Sequence, residues 1–102
     1  MNSRTQLHSV LQEALPGVAL YYQPPENIKL TYPCVVYTFD AIKSSEANNS
    51  RYIRHDKYTI KLIGSLIDVE KWSDKILGLR YCDLDTTFVS DGLYHYVYQI
   101  YI

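Results

Sequence analysis

The sequence predicts an α+β domain: a single mixed or antiparallel sheet flanked by two helices, in the order α-β-β-β-α-β-β, with a long polar hairpin arm. Three observations predict it. Two stretches carry apolar residues at helical spacing, five carry strand-like runs, and one strand changes character halfway along. That strand is Tyr52 to Gly64. Tyr58, Ile60 and Leu62 alternate with Lys57, Thr59 and Lys61, the period-two pattern of a strand with one dry and one wet face. Before it, Arg54, His55 and Asp56 run together and leave no dry face, so the strand is expected to leave the body as a polar arm.

With 102 residues the chain has one domain's worth of length, and residues 1–102 are read as a single domain. The first helix is expected over residues 3–15. Leu7, Val10, Leu11, Ala14 and Leu15 form one apolar stripe, and Ser3 with Gln6 fits a capping box. Pro16-Gly17 ends it. Val18 to Tyr22 reads as a short strand, and Pro24-Pro25 marks a loop by removing two ladder donors. Cys34 to Phe39 is apolar on both faces at first, as in a central strand. From Asp40 to Ser50 the chain turns polar and reads as a loop joining two hairpin partners.

After the strand that opens this section, Asp68 is the expected N-cap of a helix from about Val69 to Leu79, with Val69, Trp72, Ile76 and Leu79 as its buried stripe. Trp72 is expected to anchor the core between helix and sheet, with Tyr58, Ile60, Leu62 and Ile76 as the other anchors. Thr86 to Ser90 and Leu93 to Ile102 read as strands joined by Asp91-Gly92, a turn suited to hairpins. Tyr94, Tyr96, Tyr98, Ile100 and Ile102 share one face of the last strand.

A hydrophobic share of 47% argues against disorder, and a net charge of -1 supplies no bulk pull toward nucleic acid or acidic lipid. Cys34 and Cys82 are expected to be free and buried. No apolar run approaches the roughly 20 residues of a membrane span, so no membrane partner is expected and the chain should fold in the cytosol of its cell.

Catalytic chemistry is not written in the residue spacing. His8, His55 and His95 belong to no metal-ligand pattern. Asp83, Asp85 and Asp91 near the last hairpin could form a metal or acid–base site, but such residues more often cap turns. The Tyr94-Tyr96-Tyr98 ladder could stack bases, which makes a single-stranded nucleic-acid-binding module an alternative. The basic strip Arg51, Arg54, His55, Lys57 and Lys61 could meet phosphates or a partner's acidic edge, but such residues more often are solvated strand positions that keep an edge from aggregating.

The assembled pattern resembles a known family. A first amphipathic helix and a strand precede Tyr32-Pro33-Cys34-Val35-Val36-Tyr37 and the polar loop. Then come Asp56-Lys57-Tyr58-Thr59-Ile60-Lys61-Leu62, a helix from Asp68 and a hairpin through Asp91-Gly92 into Tyr-x-Tyr-x-Tyr. This is similar to the tail-terminator (tail-completion, head–tail joining) proteins of long-tailed bacteriophages and prophages, over nearly the whole chain.

The resemblance implies a structural virion protein of the tail or neck, not an enzyme, with no cofactor and no metal, assembled in the host bacterial cytoplasm. It implies a homo-oligomer, a hexameric ring that caps the tail tube and docks to the head connector while DNA passes through the lumen unread. Another neck or adaptor protein of the head–tail interface is the close alternative. It implies an assembly arm that reaches the lumen or the next ring. On this chain the arm and subunit-interface residues are Lys43, Ser44, Ser45, Glu46, Asn48, Asn49, Arg51, Arg54 and His55.

Overall fold

The computed structural model describes residues 3–47 and 51–102, with side chains described for residues 3–40 and 56–102. The element order is α1 (Ser3–Ala14), β1 (Ala19–Tyr22), β2 (Cys34–Ala47), β3 (Arg51–Gly64), α2 (Leu66–Leu77), β4 (Cys82–Ser90) and β5 (Leu93–Tyr101). The strands form one mixed sheet in the order β1-β2-β3-β5-β4. β1 runs parallel to β2, and every other neighbouring pair is antiparallel. This is the α+β arrangement the sequence predicts.

Register sorts the side chains. Val35, Tyr37, Ile60, Leu62, Tyr98 and Ile100 lie opposite one another along β2, β3 and β5, and they share one face. Leu7 and Leu11 of α1 and Val69 and Ile76 of α2 pack on that face, all 0% exposed. Both helices therefore lie on the same side, giving a two-layer fold. On the other face Lys57, Thr59 and Lys61 are half-buried, as the alternation predicts. The β1–β2 connection runs over part of this face, where the Thr31 amide donates to the Tyr21 hydroxyl at 3.2 Å.

Several expectations need correction. Ser3 does not spend its hydroxyl on a capping box. It donates to the Asp56 carboxylate and lies 2.8 Å from the Tyr58 hydroxyl, because a charged acceptor outbids a neutral one. The second helix starts three residues early. Ser65 is the N-cap, accepting from the Asp68 amide at 3.3 Å and donating to Asp68 Oδ2 at 3.1 Å, so Asp68 is the cap's partner in the first turn. The helix also stops at Leu77, with Gly78 as its cap.

Trp72 is only partly buried, packed on the margin of the core with the Lys71 ammonium 4.8 Å from its ring centroid. Tyr37 and Tyr98 are the largest fully buried side chains instead. The other expected anchors are buried: Tyr58 at 2%, and Ile60, Leu62 and Ile76 at 0%. β4 begins at Cys82 rather than Thr86, pairing with β5 through a register shift between Leu84 and Thr86. An edge strand needs only one bonded neighbour, so polar residues do not end it.

The polar stretch after Asp40 is strand as far as Ala47, not loop. Backbone pairing with β3 needs no apolar side chains, so polarity alone was a poor guide to where β2 stops.

Candidate assembly surface

A two-stranded ribbon leaves the sheet where its neighbours stop. β1 covers β2 only from Cys34 to Tyr37. β5 accompanies β3 as far as the Lys57–Tyr101 pair, followed by a last exchange in which the Asp56 amide donates to the Ile102 carbonyl at 3.1 Å and the Ile102 amide returns a bond at 2.9 Å. Beyond this, β2 and β3 pair with each other alone, from Lys43–His55 to Ala47–Arg51. At roughly 3.3 Å per residue that is a projection of about 17 Å. It accounts for a molecule measuring 51 × 27 × 24 Å.

The ribbon's base is held by polar groups on both sheet faces. A bulge between Phe39 and Ala41 sets Asp40 outside the ladder, where its carboxylate meets Lys57 Nζ at 3.0 Å. That hydrogen bond outweighs partial burial and holds Lys57 above the ordinary lysine value. On the helix face Asp56 is 8% exposed and takes the Ser3 hydroxyl, tying α1 to the ribbon's first rung. The change from body to ribbon thus falls at Asp56-Lys57, where the sequence changes character.

Of the expected arm residues, Lys43, Ser44, Ser45 and Glu46 lie on β2 and Arg51, Arg54 and His55 on β3. The register sets Lys43 opposite His55, Ser44 opposite Arg54 and Ala47 opposite Arg51. Asn48 and Asn49 lie outside the described residues. The structure brings Lys57 to the ribbon base and Lys61 to the body of the sheet, so the basic strip is divided between the two.

Sequence reasoning missed the far edge. β4 is an edge strand of nine residues, and every residue from Asp83 to Ser90 is exposed. Leu84, Phe88 and Val89 are 44%, 43% and 58% exposed. Asp85, at the register shift, accepts from Gln99 Nε2 at 3.3 Å. The signal was available: apolar and acidic residues interleave along 82–90 with no basic residue among them.

The remaining candidates are ordinary structure. Asp91 and Gly92 make the hairpin turn with φ of 53° and 76°, as Asp-Gly turns require. His95 stacks on Phe88, with ring centroids 4.6 Å apart, and Lys61 lies over that ring. Burial, and then the Lys61 charge, push the His95 pKa down. Tyr98 is fully buried with its hydroxyl 2.6 Å from that of Ser73, while Tyr94 and Tyr96 pack against the core. The tyrosine ladder faces the helices and is no open stacking platform. Cys34 and Cys82 are free and buried. Among the described residues, no three His, Cys, Asp or Glu side chains converge as metal ligands, and no helix is long and apolar enough to cross a membrane.

The chain matches no protein-family model and no curated protein.

Proposed function

We propose that this chain is a structural subunit of a phage or prophage virion, a tail-terminator-like protein that forms a hexameric ring, caps the tail tube and joins it to the head connector. The observation that carries the reading is the ribbon. Among the described residues the buried core gathers around Tyr37, Ile60, Leu62 and Tyr98 in the body of the sheet. Five rungs of hydrogen-bonded backbone then project past Asp56. A projection of this kind suits contact with another molecule, and a ring needs two different patches that meet head to tail. The two-layer fold and the element order agree with what the family resemblance implies.

Electron microscopy of the purified protein tests the reading, alone and mixed with a tail tube. Sixfold rings, or rings seated on tube ends, are expected. The double variant Arg51→Glu, Arg54→Glu should lose assembly while its melting transition stays near wild type. A chain that stays monomeric in both settings, or a variant that assembles as well as the parent, overturns the reading.

A further inference from the structure

We propose that the exposed edge of β4 is the acceptor for the ribbon of a second copy of this chain, the outer edge of β3 from Arg51 to His55 adding as a further strand beside Asp83–Ser90. The inference rests on the ring reading and names the two surfaces that would close it.

The backbone argument comes first. β4 pairs with β5 alone, and β3 beyond Asp56 pairs with β2 alone. Each therefore offers an unpaired ladder edge, and strand addition satisfies both at once. Proteins usually blunt such edges with lysine, proline or very short strands. β1, the opposite edge of the sheet, is short at four residues. β4 is nine residues long and contains neither lysine nor proline.

Charge then selects the occupant. Residues 82–90 carry Asp83 and Asp85 and no cation, whereas residues 51–55 carry Arg51 and Arg54 and no anion. Two copies of β4 brought side by side would add acid to acid. A ribbon brought to β4 pairs opposite signs, so the same carboxylates that discourage the wrong contact favour the right one. Leu84, Phe88 and Val89 add exposed apolar area on the acceptor. Five residues of added strand make a small contact, so a single pair is weak. Each copy both donates and accepts, however, and closing a ring makes the last contact intramolecular.

Two measurements test this. In sedimentation velocity, Asp83→Lys should weaken self-association by about tenfold or more, the scale of one lost charge contact. Combining it with Arg54→Glu should restore most of that loss. Because Asp85 sits at the bulge, Asp83 is the site of choice. The second measurement mixes copies carrying Arg54→Cys with copies carrying Thr87→Cys and treats them with a short bis-maleimide. The native cysteines are buried and should stay unlabelled in the folded protein. Mixed cross-linked pairs are expected, and far fewer with copies carrying Lys71→Cys on the outer side of α2. Rings that tolerate Asp83→Lys and give no mixed pairs overturn the β4 contact and leave the ring reading intact. Mixed pairs without closed rings uphold the contact and overturn the ring. Neither rings nor mixed pairs overturn both.

Discussion

The tyrosine hydroxyls show how much of this fold depends on single polar contacts between distant residues. Tyr98 reaches Ser73, Tyr37 reaches His8 Nδ1 at 2.7 Å, and Tyr58 reaches Ser3. Each lets a large ring sit in the core with its polar tip satisfied, which removes the main cost of burying it. The partners are 25, 29 and 55 positions away, so no local reading of eleven tyrosines could sort core rings from surface ones. The titratable groups on β2, β4 and β5 set a pH window. Burial pushes the Cys34 and Cys82 thiols up to about 11 from an ordinary 9.0. Between these values the unfolded chain has released protons that the folded chain still holds. Stability should therefore fall as pH rises from 9 to 11, by up to about 1.4 kcal/mol per pH unit for each thiol. His95 acts on the other side. Its pKa is lowered in the fold, so below its ordinary 6.5 the unfolded chain binds the proton more readily and stability falls with pH. Urea unfolding across pH should show a plateau between these limits, and Cys34→Ala with Cys82→Ala should flatten the alkaline fall even where it lowers the plateau.

At the scale of elements, what could be read from sequence was whatever a side-chain pattern encodes. The stripe Leu7, Leu11, Leu15 gave α1 its buried face, and the alternation Tyr58, Ile60, Leu62 gave β3 its own. What could not be read was set by backbone pairing. β2 continues to Ala47 because β3 lies beside it, and β4 starts at Cys82 because β5 does. The start of α2 is hidden in the sequence for a different reason. Two residues, Ser65 and Asp68, are both good caps three positions apart, and only geometry shows which serves the helix end and which serves the other. Ser65→Ala should accordingly cost about 1 kcal/mol in chemical denaturation. An unchanged midpoint for Ser65→Ala, with a large loss for Asp68→Ala, would return the cap to Asp68.

Over the whole molecule, the core and the ribbon meet at a boundary one residue wide. On the body side, Asp56 is bonded to Ser3 and Ile102, and Lys57 to Asp40. On the far side the ladder is two strands wide and carries the basic residues of the proposed contact. A boundary this sharp makes folding and assembly separable. Ile42 and Asp56 are directly opposed, so residues 43–55 can be replaced by Asn-Gly, which closes a tight hairpin between opposed strand positions. Every core residue, the Asp40–Lys57 pair and the Ser3–Asp56–Tyr58 cluster remain in that shortened chain. Its unfolding free energy should stay within about 1 kcal/mol of the parent, because the described buried core lies wholly outside the excised segment. Ring formation should be lost altogether. A shortened chain that melts far below the parent would show that the ribbon belongs to the folding unit, and one that still assembles would move the contact surface onto the body of the sheet.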